Sequence, residues 1–130
     1  MHAGDLFEQM ENGLVILPGQ ELPAGDLPWK PHPAFKGVTL KHLVTGKSTA
    51  GRFSAHLVRI DPGREIGEHR HEGKLELHEV VQGEGRCQAL GKEFSYKPGV
   101  VALMPPDEPH RITAGEKGLY LLVKFAPALF

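Results

Sequence analysis

Cysteine is almost missing from this chain: Cys87 is the single thiol, so no intramolecular disulfide can staple the fold. An excess of charge of either sign is missing too. A net charge of −1 leaves no basic stripe for nucleic acid and no attraction to an anionic membrane surface. No uninterrupted apolar run approaches the ~20 residues that a bilayer-spanning helix needs. The opening MHAGDLFEQMENG carries Asp5, Glu8 and Glu11 where a secretory leader would place basic residues and then an apolar stretch. These absences argue against nucleic-acid and membrane partners and lead us to expect a reduced, cytoplasmic protein.

What is present suits one globular domain. The chain has 130 residues, 40% of them hydrophobic and 24% charged, enough to bury a core unaided. Its 16 glycines and 11 prolines recur as turn signals about every eight to twelve residues, a spacing that predicts many short strands.

Residues 1–35 read as a Pro-rich N-terminal arm. Pro18, Pro23, Pro28, Pro31 and Pro33 exclude a helix and most ladder pairing there, leaving an extended segment with one short strand at LVILP. Trp29 and Phe35 are its expected anchors, onto the body or onto a second subunit. A short helix is expected at GDLFEQM, with Asp5 near its N-cap.

Residues 36–130 read as the body. Strand candidates VTLKHLVT, RFSAHLVRI, IGEHRHE, LELHEVVQ, GRCQAL, EFSYK, VVALM, HRITA and LYLLVKF follow one another closely. Their connections, among them DPG, GEG, GK, KPG, PPDEP and AGEKG, carry glycine or proline, and GEG reads as a hairpin turn. With no amphipathic helix between them, these strands predict an antiparallel sandwich or barrel.

The stretch GREIGEHRHEGKLELHEVVQG, residues 63–83, concentrates His69, His71 and His78 among acidic residues. In a strand, side chains at i and i+2 share a face roughly 7 Å apart. His69 and His71 therefore look the same way, as do Glu76 and His78. Gly73 permits a tight reversal, so antiparallel pairing of the two segments would set Glu76 across from the histidine pair. Two imidazoles and a carboxylate on one face suit a borderline divalent metal. A further histidine, His110, follows in GVVALMPPDEPHRI.

The pattern Gly63-x5-His69-x-His71-x4-Glu76-x6-Gly83 resembles the first motif of the cupin family at every defined position. Gly99-x5-Pro105-x-Asp107-x2-His110 resembles the second, with Asp107 where glycine is usual and Ala114 where asparagine is usual. Asp tolerates a left-handed backbone better than most residues. The motifs cover residues 63–114, and the strand pattern extends the resemblance to about residues 37–127. It implies an all-β, double-stranded β-helix (jelly-roll) barrel with one divalent metal ion held by His69, His71, Glu76 and His110. It also implies a homodimer.

Three neutral imidazoles and a carboxylate would leave the ion a net charge near +1 and, if octahedral, two open positions. Fe(II) or Mn(II) suits oxygen chemistry, while Zn, Ni, Co and Cu are also compatible with these ligands. A closed structural site typically uses cysteines, and Cys87 lies in neither motif, so an open site is expected. His78, in phase with Glu76, and His56, in phase with Val58 and Ile60, are candidate proton carriers for catalysis. Val58, Val80, Leu103 and Ile112 are candidate apolar walls, and Glu79 should face outward. His2, His32 and His42 have no such context and read as surface residues. The function expected is that of a metal-dependent enzyme on a small organic molecule, dioxygenase first and isomerase or lyase next. The alternative is a non-catalytic binding or sensing protein.

Overall fold

The computed structural model describes residues 4–130, with side chains from Leu6 onward; the expectations for His2 and for the Asp5 cap lie outside what is described. One helix, α1 (Gly4–Glu11), precedes a hairpin of β1 (Leu14–Leu17) and β2 (Gln20–Pro23). Then come β3 (Trp29–Pro31), β4 (Val38–Val44), β5 (Ser54–Ile60), β6 (Glu65–His69) and the long β7 (Leu75–Ala89). They are followed by β8 (Lys92–Tyr96), β9 (Val101–Met104) and the long β10 (His110–Ala126). The main sheet runs β3-β4-β5-β10-β7-β8, with β6 also paired to β10 and β9 to β7. Every pairing is antiparallel. This is the jelly-roll barrel, its core built on Val38, Ile60, Val80, Tyr96, Leu119 and Leu121. Among the described residues no helix is long and apolar enough to cross a membrane.

The glycines of GEG and AGEKG bend strands rather than ending them, which corrects the expected hairpin at residues 83–85. Along β7 the buried residues are first Glu76, His78 and Val80, then Cys87 and Ala89. The phase therefore changes across residues 83–85. Along β10 it changes at the same height, from His110, Ile112 and Ala114 to Leu119, Leu121 and Val123. The register jumps there as well, Ala114 facing Gly85 and Leu119 facing Gly83. A bulge of this kind lets one strand serve two walls of the barrel. Gly83 is required at the crossing: its φ is +82° and a Cβ would stand 2.1 Å from the Gly118 carbonyl oxygen. A true two-residue hairpin does form where Ala89 pairs with Lys92, around Leu90 (φ 54°) and Gly91 (φ 73°).

The N-terminal segment pairs more than its prolines suggest. β3 adds to the barrel sheet at its edge, where Pro31 costs no internal ladder bond. Phe7 is buried against Trp29 and Tyr120, at ring centroid distances of 6.1 and 5.0 Å. Beneath them the buried Lys41 donates from Nζ to the carbonyls of Glu11 (2.8 Å) and Ala24 (2.7 Å). Arg59 stacks 4.2 Å from the Trp29 ring. Trp29 thus anchors onto the body, and Phe35 does likewise, lying over Gly67.

Candidate metal centre

His69 ends β6 and pairs directly with His110, which opens β10. Glu76 reaches them from β7, where its neighbours are Phe125 on one side and Met104 on the other. The expected pairing of the two histidine-bearing segments about Gly73 does not occur. β6 takes β10 as partner instead, and closure of the barrel carries Glu76 to the histidines. His71 lies just beyond the end of β6 and still turns toward the same space.

His69, Glu76 and His110 offer ligand atoms that all lie within 4.8 Å of one another. His71 abuts this triad, its Nε2 3.7 Å from Glu76 Oε1 and its ring centroid 5.2 Å from that of His69. Two of the imidazoles have their tautomers set by backbone carbonyls, which can only accept. His69 Nδ1 donates to Gly67 O at 2.7 Å, and His110 Nδ1 donates to Glu108 O at 2.9 Å. When these rings are neutral, each therefore keeps a lone pair on Nε2. Glu76 Oε1 and His110 Nε2 are buried and have no hydrogen-bond partner, although they stand 3.2 Å apart. Two lone pairs facing each other at that distance call for a positive charge. A divalent cation fits the donor set, and in its absence a proton on His110 would serve.

The electrostatics agree. Burial pulls the His69 imidazole down to about 4, and it lowers His71 as well, so both are neutral donors at pH 7. Burial also opposes charge on Glu76, but the His110 and His78 imidazoles outweigh it and hold the carboxyl well below the usual range. For His110 burial is outweighed by the Glu76 carboxylate, which raises it.

His78 stands behind the carboxylate. Its Nε2 donates to Glu76 Oε2 at 2.7 Å, and its Nδ1 accepts from the Tyr96 hydroxyl at 2.7 Å. Both nitrogens are thereby committed. His56 is committed too, through Nδ1 to His42 Nδ1 at 2.7 Å and Nε2 to Ser54 Oγ at 2.8 Å. Burial and the neighbouring His42 bring His56 down to about 4.

A cavity of about 50 Å³ opens on the cluster, its hydrocarbon wall including Val58, Ile66, Ile112, Leu121 and Val123. Of the expected apolar walls, Val58 and Ile112 line it. Val80 is buried in the core instead, and Leu103 is 54% exposed on the outer surface. Glu79 faces outward as expected and pairs with Lys124.

Two histidines expected at the surface are not there. His42 is half-buried on His56; its phase with Val38 and Leu40 was a signal for this. His32 is half-buried and lines the cavity, and no motif marked it, because only the pairing of β3 puts it there. Tyr96 also went unmarked, although its alternation with Phe94 was legible.

Comparison with known proteins bears on the family and the fold. The family model described as "Cupin domain" matches residues 56–124. An oxalate-binding protein of Thermotoga maritima is 31% identical over 77 residues, 58% of this chain and 63% of that protein. The aligned part thus spans less than two thirds of that curated relative's length. A solved structure from Thermotoga maritima, described as a predicted oxalate decarboxylase, superposes with a TM-score of 0.73 at 25% identity, covering 79% of this chain and 95% of that one. The polyketide cyclase RemF of Streptomyces resistomycificus shares the fold, with a TM-score of 0.70 at 20% identity over 85% of each chain.

Proposed function

We propose a metal-dependent role on a small carboxylic acid for this chain, which belongs to the cupin family. In this reading His69 and His110 through Nε2, together with Glu76 and His71, would hold one divalent ion. Fe(II) or Mn(II) is favoured, and Zn, Ni, Co or Cu suits the same donors. The observation that carries the reading is the buried, unpartnered pair Glu76 Oε1 and His110 Nε2 beside a second imidazole whose Nδ1 is already spent on a carbonyl. When bound, the ion supplies Lewis acidity and, if redox-active, a place for dioxygen.

The chain's own residues orient and exclude. Tyr96 and His78 hold the far oxygen of Glu76, so its carboxylate plane is set before any ligand arrives. The hydrocarbon walls keep bulk water out. A divalent ion with one carboxylate ligand keeps a net charge near +1, which favours an anion. The cavity of about 50 Å³ has room for only roughly three or four waters, or a ligand of a few heavy atoms. The similarity to an oxalate-binding protein and to a predicted oxalate decarboxylase supports a small carboxylate as that ligand.

Among reactions, that similarity and the cramped cavity favour lyase chemistry, with oxygen-dependent cleavage or isomerisation as the competing classes. One observation favours a second reading, ligand binding without turnover. The expected proton carriers His56 and His78 have both ring nitrogens committed, so neither is free to exchange a proton with a ligand in the cavity.

The test begins with metal analysis of untagged protein and anaerobic reconstitution with each ion. Calorimetry with oxalate, and assays of CO2 release and O2 uptake, follow. Stoichiometric metal and carboxylate binding only by the loaded protein are expected. Release of CO2 without O2 uptake marks a lyase, O2 uptake an oxygenase, and binding without either the second reading. Failure to take up any ion stoichiometrically overturns the proposal.

A further inference from the structure

One polar side chain in the cavity wall is unaccounted for by the metal ligands and their supports. His32 enters from the segment after β3, and its position is fixed twice. Its backbone N–H donates to Val38 O at 2.8 Å, and its Nδ1 accepts from the Ala34 N–H at 3.0 Å. An accepting Nδ1 places the neutral ring's proton on Nε2. His32 lines the cavity and carries an N–H that no described hydrogen bond uses; of the other lining imidazoles, only His71, read above as a metal ligand, keeps an unengaged Nδ1. His56 has both nitrogens engaged. His69 and His110 have spent their Nδ1 protons on carbonyls, and the ionised Glu76 can only accept. Among the described residues no lysine or arginine lines this space.

We infer that His32 is the residue that reads the ligand, and that the site takes small carboxylates bearing an oxygen on the carbon next to the carboxyl group. That class comprises 2-hydroxy and 2-oxo acids and oxalate. This rests on the metal reading above: the carboxylate answers the ion's residual charge, and the adjacent oxygen accepts from His32 Nε2. A ligand with carbon in place of that oxygen gives up this hydrogen bond, and a site built to bond a ligand oxygen discriminates against the analogue lacking it. The ring is also connected to the metal side through Phe35. Its centroid lies 4.9 Å from that of Phe35, the rings tilted by 42°, and Phe35 in turn lies 6.3 Å from His69. Recognition is thus supplied by the N-terminal segment and not by the two motifs.

The test uses the Mn(II)-loaded full chain with two shape-matched probes, glycolate and propionate, titrated calorimetrically into wild type, His32→Phe and His32→Gln. Metal content is measured for all three. The expected result is unchanged Mn(II) stoichiometry throughout. His32→Phe weakens glycolate by about tenfold or more and propionate by less than about twofold, and His32→Gln, which retains an N–H donor, recovers most of the glycolate affinity. Equal losses for both probes would show that the ring only packs, and no loss would show that it touches nothing; either overturns the inference. So does a loss of Mn(II) from His32→Phe, or a loaded wild type that does not prefer glycolate. A wild type that takes up no Mn(II) is a different failure, since it removes the metal reading first and this inference with it.

Discussion

Two buried histidine clusters lie within one barrel, and they differ in what their nitrogens are doing. Around Glu76, the imidazoles of His69 and His110 each spend one nitrogen on a backbone carbonyl, and His110 Nε2 is left facing a carboxylate oxygen without a partner. At His56, both ring nitrogens are used, one on His42 and one on Ser54, whose hydroxyl oxygen also accepts from the Leu129 N–H at 2.9 Å. Burial alone does not separate them, since His56, His78 and His110 are all almost fully buried. Commitment does. A histidine with a free lone pair aimed at a buried anion is prepared for a cation, and a histidine satisfied on both sides is part of the scaffold.

That contrast can be broken most forcefully at the metal side. Substituting His69→Ala together with His110→Ala should abolish stoichiometric metal, read by elemental analysis, while circular dichroism still reports the barrel. Full metal retention would erase the distinction between the clusters.

The next largest effect is expected at Tyr96→Phe. Removing the hydroxyl strands His78 Nδ1 in a dry interior and loosens the far side of Glu76. Metal affinity should fall about tenfold to a hundredfold, and the metal-free protein should lose about 1–3 kcal/mol in denaturant titration. A comparable stability loss with unchanged metal affinity would show that the tyrosine only packs.

Lys41→Met tests the scaffold away from both clusters. It leaves the carbonyls of Glu11 and Ala24 without their donor and should cost about 1–3 kcal/mol, with metal content unaltered.

The comparison is sharpened by pH. His56 is depressed to about 4 from an ordinary 6.5, so the unfolded chain binds a proton in that window that the folded chain refuses. Its contribution is present above pH 6.5 and is lost as pH falls toward 4. In metal-free protein His69 adds to the same slope. Metal loading should steepen the fall in the denaturation midpoint, because metal-bound His69 and His110 refuse protons that the unfolded chain still takes up, while the His56 part persists with or without the ion. The smallest effect belongs to the solvated surface: Arg86→Ala, which breaks an exposed pair with Glu93 at 3.8 Å, should change stability by less than about 1 kcal/mol.

Much of the site was legible because it depends on short-range geometry. Alternation puts Glu76 and His78 on one face whatever the strand pairs with, and two motif-like spacings pointed to His69, His71, Glu76 and His110. Asp107, standing where glycine is usual, takes the left-handed conformation, with φ 68°. What misled was local chemistry with a non-local outcome. The glycines at residues 83 and 85 permit both a reversal and a bend, and only the partner strand β10, passing within 2.1 Å of a would-be Cβ at Gly83, selects the bend. His32 and His42 looked like surface residues for the same reason, because burial is decided by what arrives from elsewhere.

Composition, turn spacing and strand phase determined by themselves that this is a many-stranded β protein with a cluster of metal-competent side chains, since these are properties of neighbouring residues. The tertiary structure alone decided that β6 pairs with β10 and not β7, that the Pro-rich segment delivers His32 to the cavity, and that His56 and His78 have no nitrogen to spare. Each of these is a contact between residues far apart in the chain or a count of hydrogen-bond partners. Both quantities exist only after the barrel has closed.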